Sequence, residues 1–181
     1  MKTKNLTLTA IFTALTIVLA QIAIPMPGSV APFSLSVGAI YLTGAVLPKK
    51  YALYSQLIYL LMGIFGLPVF ANFTSGIGRI AGPTGGYLLA YPLMAFLTAL
   101  VVELFGKKSL LSYAAGMFAA LAVCYLFGSL WYVAVGHVGW MESLLLTVAP
   151  FVAVDLLKIA VFALLAAALN RALGKAKLLT A

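Results

Sequence analysis

Long apolar runs separated by short polar clusters set the pattern of this 181-residue chain. A helix crosses a hydrocarbon layer about 30 Å thick with ~20 mostly apolar residues. Runs of that kind predict helices near 5–24, 33–47, 51–70, 85–105, 110–135 and 147–171. The expected fold is therefore an all-α integral membrane protein, a single domain over residues 1–181 built as a bundle of six transmembrane helices. The run at 33–47 is short for a span and follows "PMPGSVAPF". Pro25, Pro27 and Pro32 there predict a loop that dips along the bundle before the helix starts.

Composition agrees with lipid as the main solvent. Hydrophobic residues make up 65% of the chain and charged residues 8%, more apolar surface than a soluble domain of this length can hide. The basic start "MKTK" looks like that of a signal peptide. Its apolar region is long enough to span, and no small-residue cleavage site with a soluble domain behind it follows. It is read as a retained first helix.

The net charge of +8 would point to nucleic acid if the cations covered one face. They sit instead in clusters between apolar runs. With a cytoplasmic N-terminus, six spans place Lys2, Lys4, Lys49, Lys50, Lys107, Lys108, Arg171, Lys175 and Lys177 on the cytoplasmic side, nine of the 11 Lys and Arg. The positive-inside rule thus predicts that both the N- and C-termini are cytoplasmic, with outer loops near 25–32, 71–84 and 136–146. Arg79 falls in an outer loop and Lys158 within a span.

Several features carry no chemistry. Gly76, Gly78 and Ala81 match the spacing of a dinucleotide fingerprint, but the strand and βαβ unit that give it meaning are missing. "FGKKS" at 105–109 lacks the P-loop glycine, with Val101 in its place, and has Lys108 where Ser or Thr is required. The chain therefore carries no ATPase, and any energy for transport comes from a partner or an ion gradient. Cys124, the single cysteine, excludes an internal disulfide and is expected to be a buried, inert thiol. The single His137 excludes a His-based zinc cluster. No nucleophile has a base beside it, so catalysis has no support.

Asp155 and Lys158, in "APFVAVDLLKIAVF", are the informative residues. Three apart, they share a helix face and can pair. Each costs roughly 2.5–3.5 kcal/mol at mid-membrane on an insertion scale, which makes an intramembrane charge a functional candidate. A purely structural pair pinning this helix to the bundle is the alternative. Asp155 is expected about 7.5 Å below the outer end of its helix, a depth it would share with Asn72, Arg79 and Tyr87. Phe33, Phe73 and Trp131 are available as aromatic walls, which completes the usual make-up of a small-molecule pocket. In "GRIAGPTGGYL", Gly85 and Gly86 would let the backbone fold against a ligand, with Thr84 as candidate N-cap. Gln21 and Gln56 are expected to bond between helices, and Glu103 to be solvated. Ala10 and Ala14 form a small-xxx-small pair on one face of the first helix, where another helix could approach closely.

"YLLMGIFGLPVFANFTSGIGRIAGPTGGYLLAYPLMA", residues 59–95, closely resembles the signature region of the BioY family. These are the biotin-specific substrate-binding (S) components of energy-coupling factor (ECF) vitamin transporters. "GLPVF", "GPTGGYL", "YLFGSLWY" and "DLLK" carry the likeness, which covers essentially the whole chain. It implies a multi-pass protein of the bacterial plasma membrane that captures biotin outside the cell. It also implies docking onto a membrane coupling subunit (EcfT) and two ATPase subunits that use ATP. Asp155 and Lys158 then match the family's ligand-site pair, and Ala10 and Ala14 the surface that meets the coupling subunit. "PFSLS" departs from a Pro-Phe-Thr-x-Gln pattern, with Ser36 in place of an amide, and Asn72 is particular to this sequence. Arg79 enters on its chemistry alone. Asp155 or Asn72 could accept from the ureido N–H groups of biotin, and Lys158 or Arg79 could pair with its carboxylate. A stand-alone carrier for a small carboxylated metabolite is the competing expectation. Halving the chain, however, gives no convincing internal repeat.

Overall fold

The structure is a computed structural model that describes residues 2–26, 28–29, 32–106 and 108–176. Pro27, Lys107 and Lys177, used above for the outer loop and the topology, lie outside the described residues, as does the side chain of Lys2. In chain order the elements are α1 (Lys2–Ala20), β1 (Ala23–Ile24), β2 (Phe33–Ser34), α2 (Ser36–Val46) and α3 (Lys49–Ile64). A 3-10 turn (Ala71–Phe73) follows, then α4 (Ile77–Ala81), α5 (Gly85–Leu104), α6 (Leu110–Gly136), α7 (Trp140–Thr147) and α8 (Val152–Lys175).

The expected bundle of six transmembrane helices is not what forms. Among the described residues there are eight α-helices, and four of them, α1, α5, α6 and α8, are long and apolar enough to cross a membrane. The predicted span 33–47 shrinks to the 11 residues of α2, about 17 Å at helical rise. Its first residues instead form β2, which pairs antiparallel with β1. At its far end Leu47 turns extended (ψ 148°), as the residue before Pro48 is pushed to do. The predicted span 51–70 ends early as well. Gly66 takes a left-handed φ of 97°, and Leu67 N–H bonds back to the Met62 carbonyl at 3.0 Å, a helix stop that favours glycine. The apolar residues beyond it fold back, so that the Phe70 ring stacks edge-on against Tyr59 at 5.6 Å. The predicted span 147–171 starts too early, because residues 148–151 form a turn between α7 and α8.

Helix α5 is the centre of the molecule, packed on α2, α3, α4 and α6. Two glycines let it be approached closely. A Cβ on Gly44 of α2 would lie 2.6 Å from the Ala95 carbonyl oxygen, and one on Gly116 of α6 would lie 2.8 Å from that of Thr98. Where helices meet away from water, packing and hydrogen bonds must hold them. Thr13 of α1 bonds the carbonyl of Ser55 at 3.0 Å, and the Gln56 amide donates to Thr16 at 3.1 Å, tying α1 to α3. Glu103 is not merely solvated. It pairs with Lys49 at 2.9 Å and accepts the Lys49 N–H at 3.1 Å, closing the N-terminus of α3 against the end of α5.

Candidate ligand site

The site is a mostly apolar cavity at the end of the molecule where α5 and α8 begin. Asp155 lies in the first turn of α8, where the helix dipole favours a carboxylate. Lys158 lies one turn on. Both are buried, 5% and 6% exposed, and both line the cavity. Lys158 Nζ donates to Asp155 Oδ1 at 2.9 Å and to the Ser34 carbonyl at 3.0 Å, and sits 4.0 Å above the Phe33 ring. The ammonium is thus engaged on three sides and does not snorkel. The second carboxylate oxygen, Oδ2, accepts from the Tyr125 hydroxyl of α6 at 2.6 Å. Three elements therefore meet on one ion pair: the β1–β2 hairpin, α6 and α8.

Arg79, on the short helix α4, also lines the cavity. Its Nε is buried with no hydrogen-bond partner. An orphaned donor in an apolar setting is costly, which makes it the natural anchor for an incoming acceptor. Tyr87 lines the cavity too, its ring against Gly128 and its hydroxyl 3.5 Å from both Ser129 Oγ and the Thr147 carbonyl. Thr84, which also lines the cavity, occupies the cap position of α5 but makes no capping hydrogen bond with its side chain.

Other expected site residues do not line the cavity. Asn72 is exposed, with a left-handed φ of 57°, and its neighbour Ala71 lines the cavity in its place. Gly85 and Gly86 are packed against protein. A Cβ on Gly85 would strike the Ile80 carbonyl, and one on Gly86 would strike Trp131 Cβ. Trp131 pins the loop, donating from Nε1 to the Gly82 carbonyl at 3.0 Å. Phe73 is 70% exposed. Ala10 and Ala14 are exposed on α1.

Tyr125, Tyr91 and the Ser34 carbonyl belong to the site without being among the residues expected there. Tyr91 stacks on Tyr59 at 6.1 Å and shares a 3.0 Å hydrogen bond with Ser36 Oγ, so the serine that replaces an amide in the family pattern is bonded within the wall. Leu121 and Tyr125, four apart on one face of α6, were the available signal for that helix's contribution. A backbone carbonyl leaves none.

The BioY family model matches residues 1–175. The chain belongs to the BioY family. It is 40% identical over 166 residues to a protein of Pyrococcus horikoshii named probable biotin transporter BioY, covering 92% of this chain and 96% of that one. A Thermotoga maritima protein named biotin transporter BioY is 41% identical over 161 residues, covering 89% and 92%. The fold also matches the crystal structure of the S-component for biotin from an ECF-type ABC transporter. The TM-score is 0.85 at 24% identity, covering 94% of this chain and 92% of that one. BioY relatives are named transporters rather than enzymes, and this chain is a multi-pass membrane protein of that family, not an enzyme.

Proposed function

We propose that the protein captures biotin from the extracytoplasmic side and passes it across the membrane as the substrate-specific component of an ATP-driven ECF transporter. The observation that carries the proposal is the buried ion pair Asp155–Lys158 facing an apolar cavity that also holds the unpartnered Arg79 Nε. Biotin has a ureido group with two N–H donors, an apolar bicycle, and a tail that ends in a carboxylate. Each oxygen of Asp155 already accepts one hydrogen bond and keeps acceptor capacity for a ureido N–H. The three contacts on Lys158 leave it little to offer a carboxylate. Arg79 has a free donor and a planar fork suited to carboxylate, so it takes the tail.

Orientation rests on charge. Tyr87 near the start of α5 and Asp155 near the start of α8 line the cavity, whereas Lys49, Lys108, Arg171 and Lys175 lie at the opposite end, where α3 and α6 begin and α8 finishes. Cations gather on the cytoplasmic side, so the cavity faces away from it. ATP is used by partner subunits, since the sequence has no P-loop, and a membrane coupling subunit of the EcfT kind transmits its effect.

Calorimetry on detergent-purified protein tests ligand identity, with biotin, biotin methyl ester and riboflavin as titrants. Saturable heat with biotin, weakened with the ester and absent with riboflavin, is the expected result. No heat with biotin, or equal heat with riboflavin, overturns the assignment.

A further inference from the structure

Gln21 stands just past the end of α1, where the chain turns into β1. Its amide joins segments far apart in sequence. Nε2 donates to the Ile17 carbonyl at 3.1 Å and to the Val69 carbonyl at 3.2 Å. Oε1 accepts the Phe73 N–H at 2.8 Å. The amide orientation follows from its partners, because a flipped amide would set donor against donor at Phe73.

The segment it holds is strained. Asn72 and Phe73 are consecutive non-glycine residues with left-handed φ of 57° and 56°, a conformation that persists only when its surroundings impose it. Phe73 cannot impose it, being 70% exposed. Within the turn, Thr74 Oγ1 bonds the Ala71 carbonyl at 2.8 Å, and Phe70 N–H bonds the Thr74 carbonyl at 3.0 Å. Gln21 supplies side-chain hydrogen bonds from outside, one on each side of Phe70 and Ala71, which line the cavity. The same residue leads into β1, whose partner strand holds Ser34, the carbonyl acceptor for Lys158. Two walls of the cavity thus hang from one point at the end of α1.

We propose that Gln21 is a positioning residue for the ligand site. It fixes the strained 70–74 turn, and through it the Phe70–Ala71 wall, and so sets how long a ligand stays bound. The inference rests on biotin as the ligand.

Gln21→Leu keeps much of the side-chain bulk and removes the amide contacts. Biotin dissociation from purified protein, followed by chase with unlabelled biotin, is expected to become about tenfold faster, the effect of losing a hydrogen bond or two that hold a wall. The melting midpoint of the ligand-free protein should stay near that of the unchanged chain. Gln21→Glu keeps the acceptor for Phe73 but turns its other oxygen on the Ile17 and Val69 carbonyls, so its rate should fall between those of Gln21→Leu and the unchanged chain. Hydrogen exchange on the unchanged protein gives a second readout. Amides of residues 70–76 should exchange more slowly with biotin bound, and no change there overturns the proposal without any variant. A wild-type dissociation rate in Gln21→Leu also overturns it while leaving biotin capture intact. Absence of biotin binding to the unchanged protein overturns both.

Discussion

Asp155 holds its place through two donors, and those donors define what each substitution should do. Lys158 and Tyr125 take one oxygen each, so the carboxylate is oriented before any ligand arrives. Asp155→Asn removes the charge that compensates Lys158 and a strong acceptor from a dry site, and should weaken biotin binding more than about tenfold by calorimetry. Tyr125→Phe leaves the charges intact and frees only Oδ2; about a three- to tenfold loss is expected, and equal losses for the two variants would show that orientation, not charge, dominates. Arg79→Gln should remove the preference for biotin over its methyl ester, because the ester no longer offers a charge for the guanidinium to meet. If the preference survives, the carboxylate lies elsewhere. The ion pair was legible in the sequence because charges inside an apolar run have few ordinary explanations. Tyr125 was not, since a tyrosine in a membrane helix has many, among them anchoring at the interface.

At the scale of elements, apolar content located the helices but not their ends. The borders of α5 and α6 lie within a residue of the runs that predict them, and the start of α6 is fixed by Ser109, whose side chain and that of Ser112 cap each other's N–H at 3.2 and 3.0 Å. Residues 65–70 misled because "FGLPVF" is as apolar as a helix but turns at Gly66 and comes back as cavity wall. The hairpin and α4 left no periodicity to find, being two-residue strands and a helix of five residues. Glycines are more informative about how the helices cross. Gly44→Ala would force a Cβ to within 2.5 Å of Thr98 Cβ and 2.6 Å of a backbone oxygen, neither of which can swing away. A loss of about 1–3 kcal/mol is expected, read as a lower melting midpoint in detergent. Gly78→Ala, whose Cβ would meet nothing within 4 Å, should leave the midpoint unchanged or raise it. Matching midpoints for both would mean that α2 and α5 can separate without cost.

The whole molecule has its cavity at one end and long apolar flanks, with Leu126 of α6 and Leu164 of α8 among the exposed side chains. On α1 the inward face is committed: Thr13 and Thr16 are buried and bonded to α3. Ala10 and Ala14 look outward, and small residues there let another helix come close. A coupling subunit that docks on this face would not touch the cavity, so capture and assembly should separate. Ala14→Trp fills the groove while leaving Thr13 and Thr16 in place. It should keep biotin affinity in calorimetry but abolish co-purification with a co-expressed coupling subunit. Leu164→Trp, a substitution at another exposed position, on α8, should leave both intact and so excludes a general effect of surface bulk. Retained co-purification in Ala14→Trp would move the docking surface away from α1. Lost biotin binding in the same variant would show that the outer face of α1 and the cavity are mechanically one unit, joined through the end of α1 where Gln21 holds the 70–74 turn.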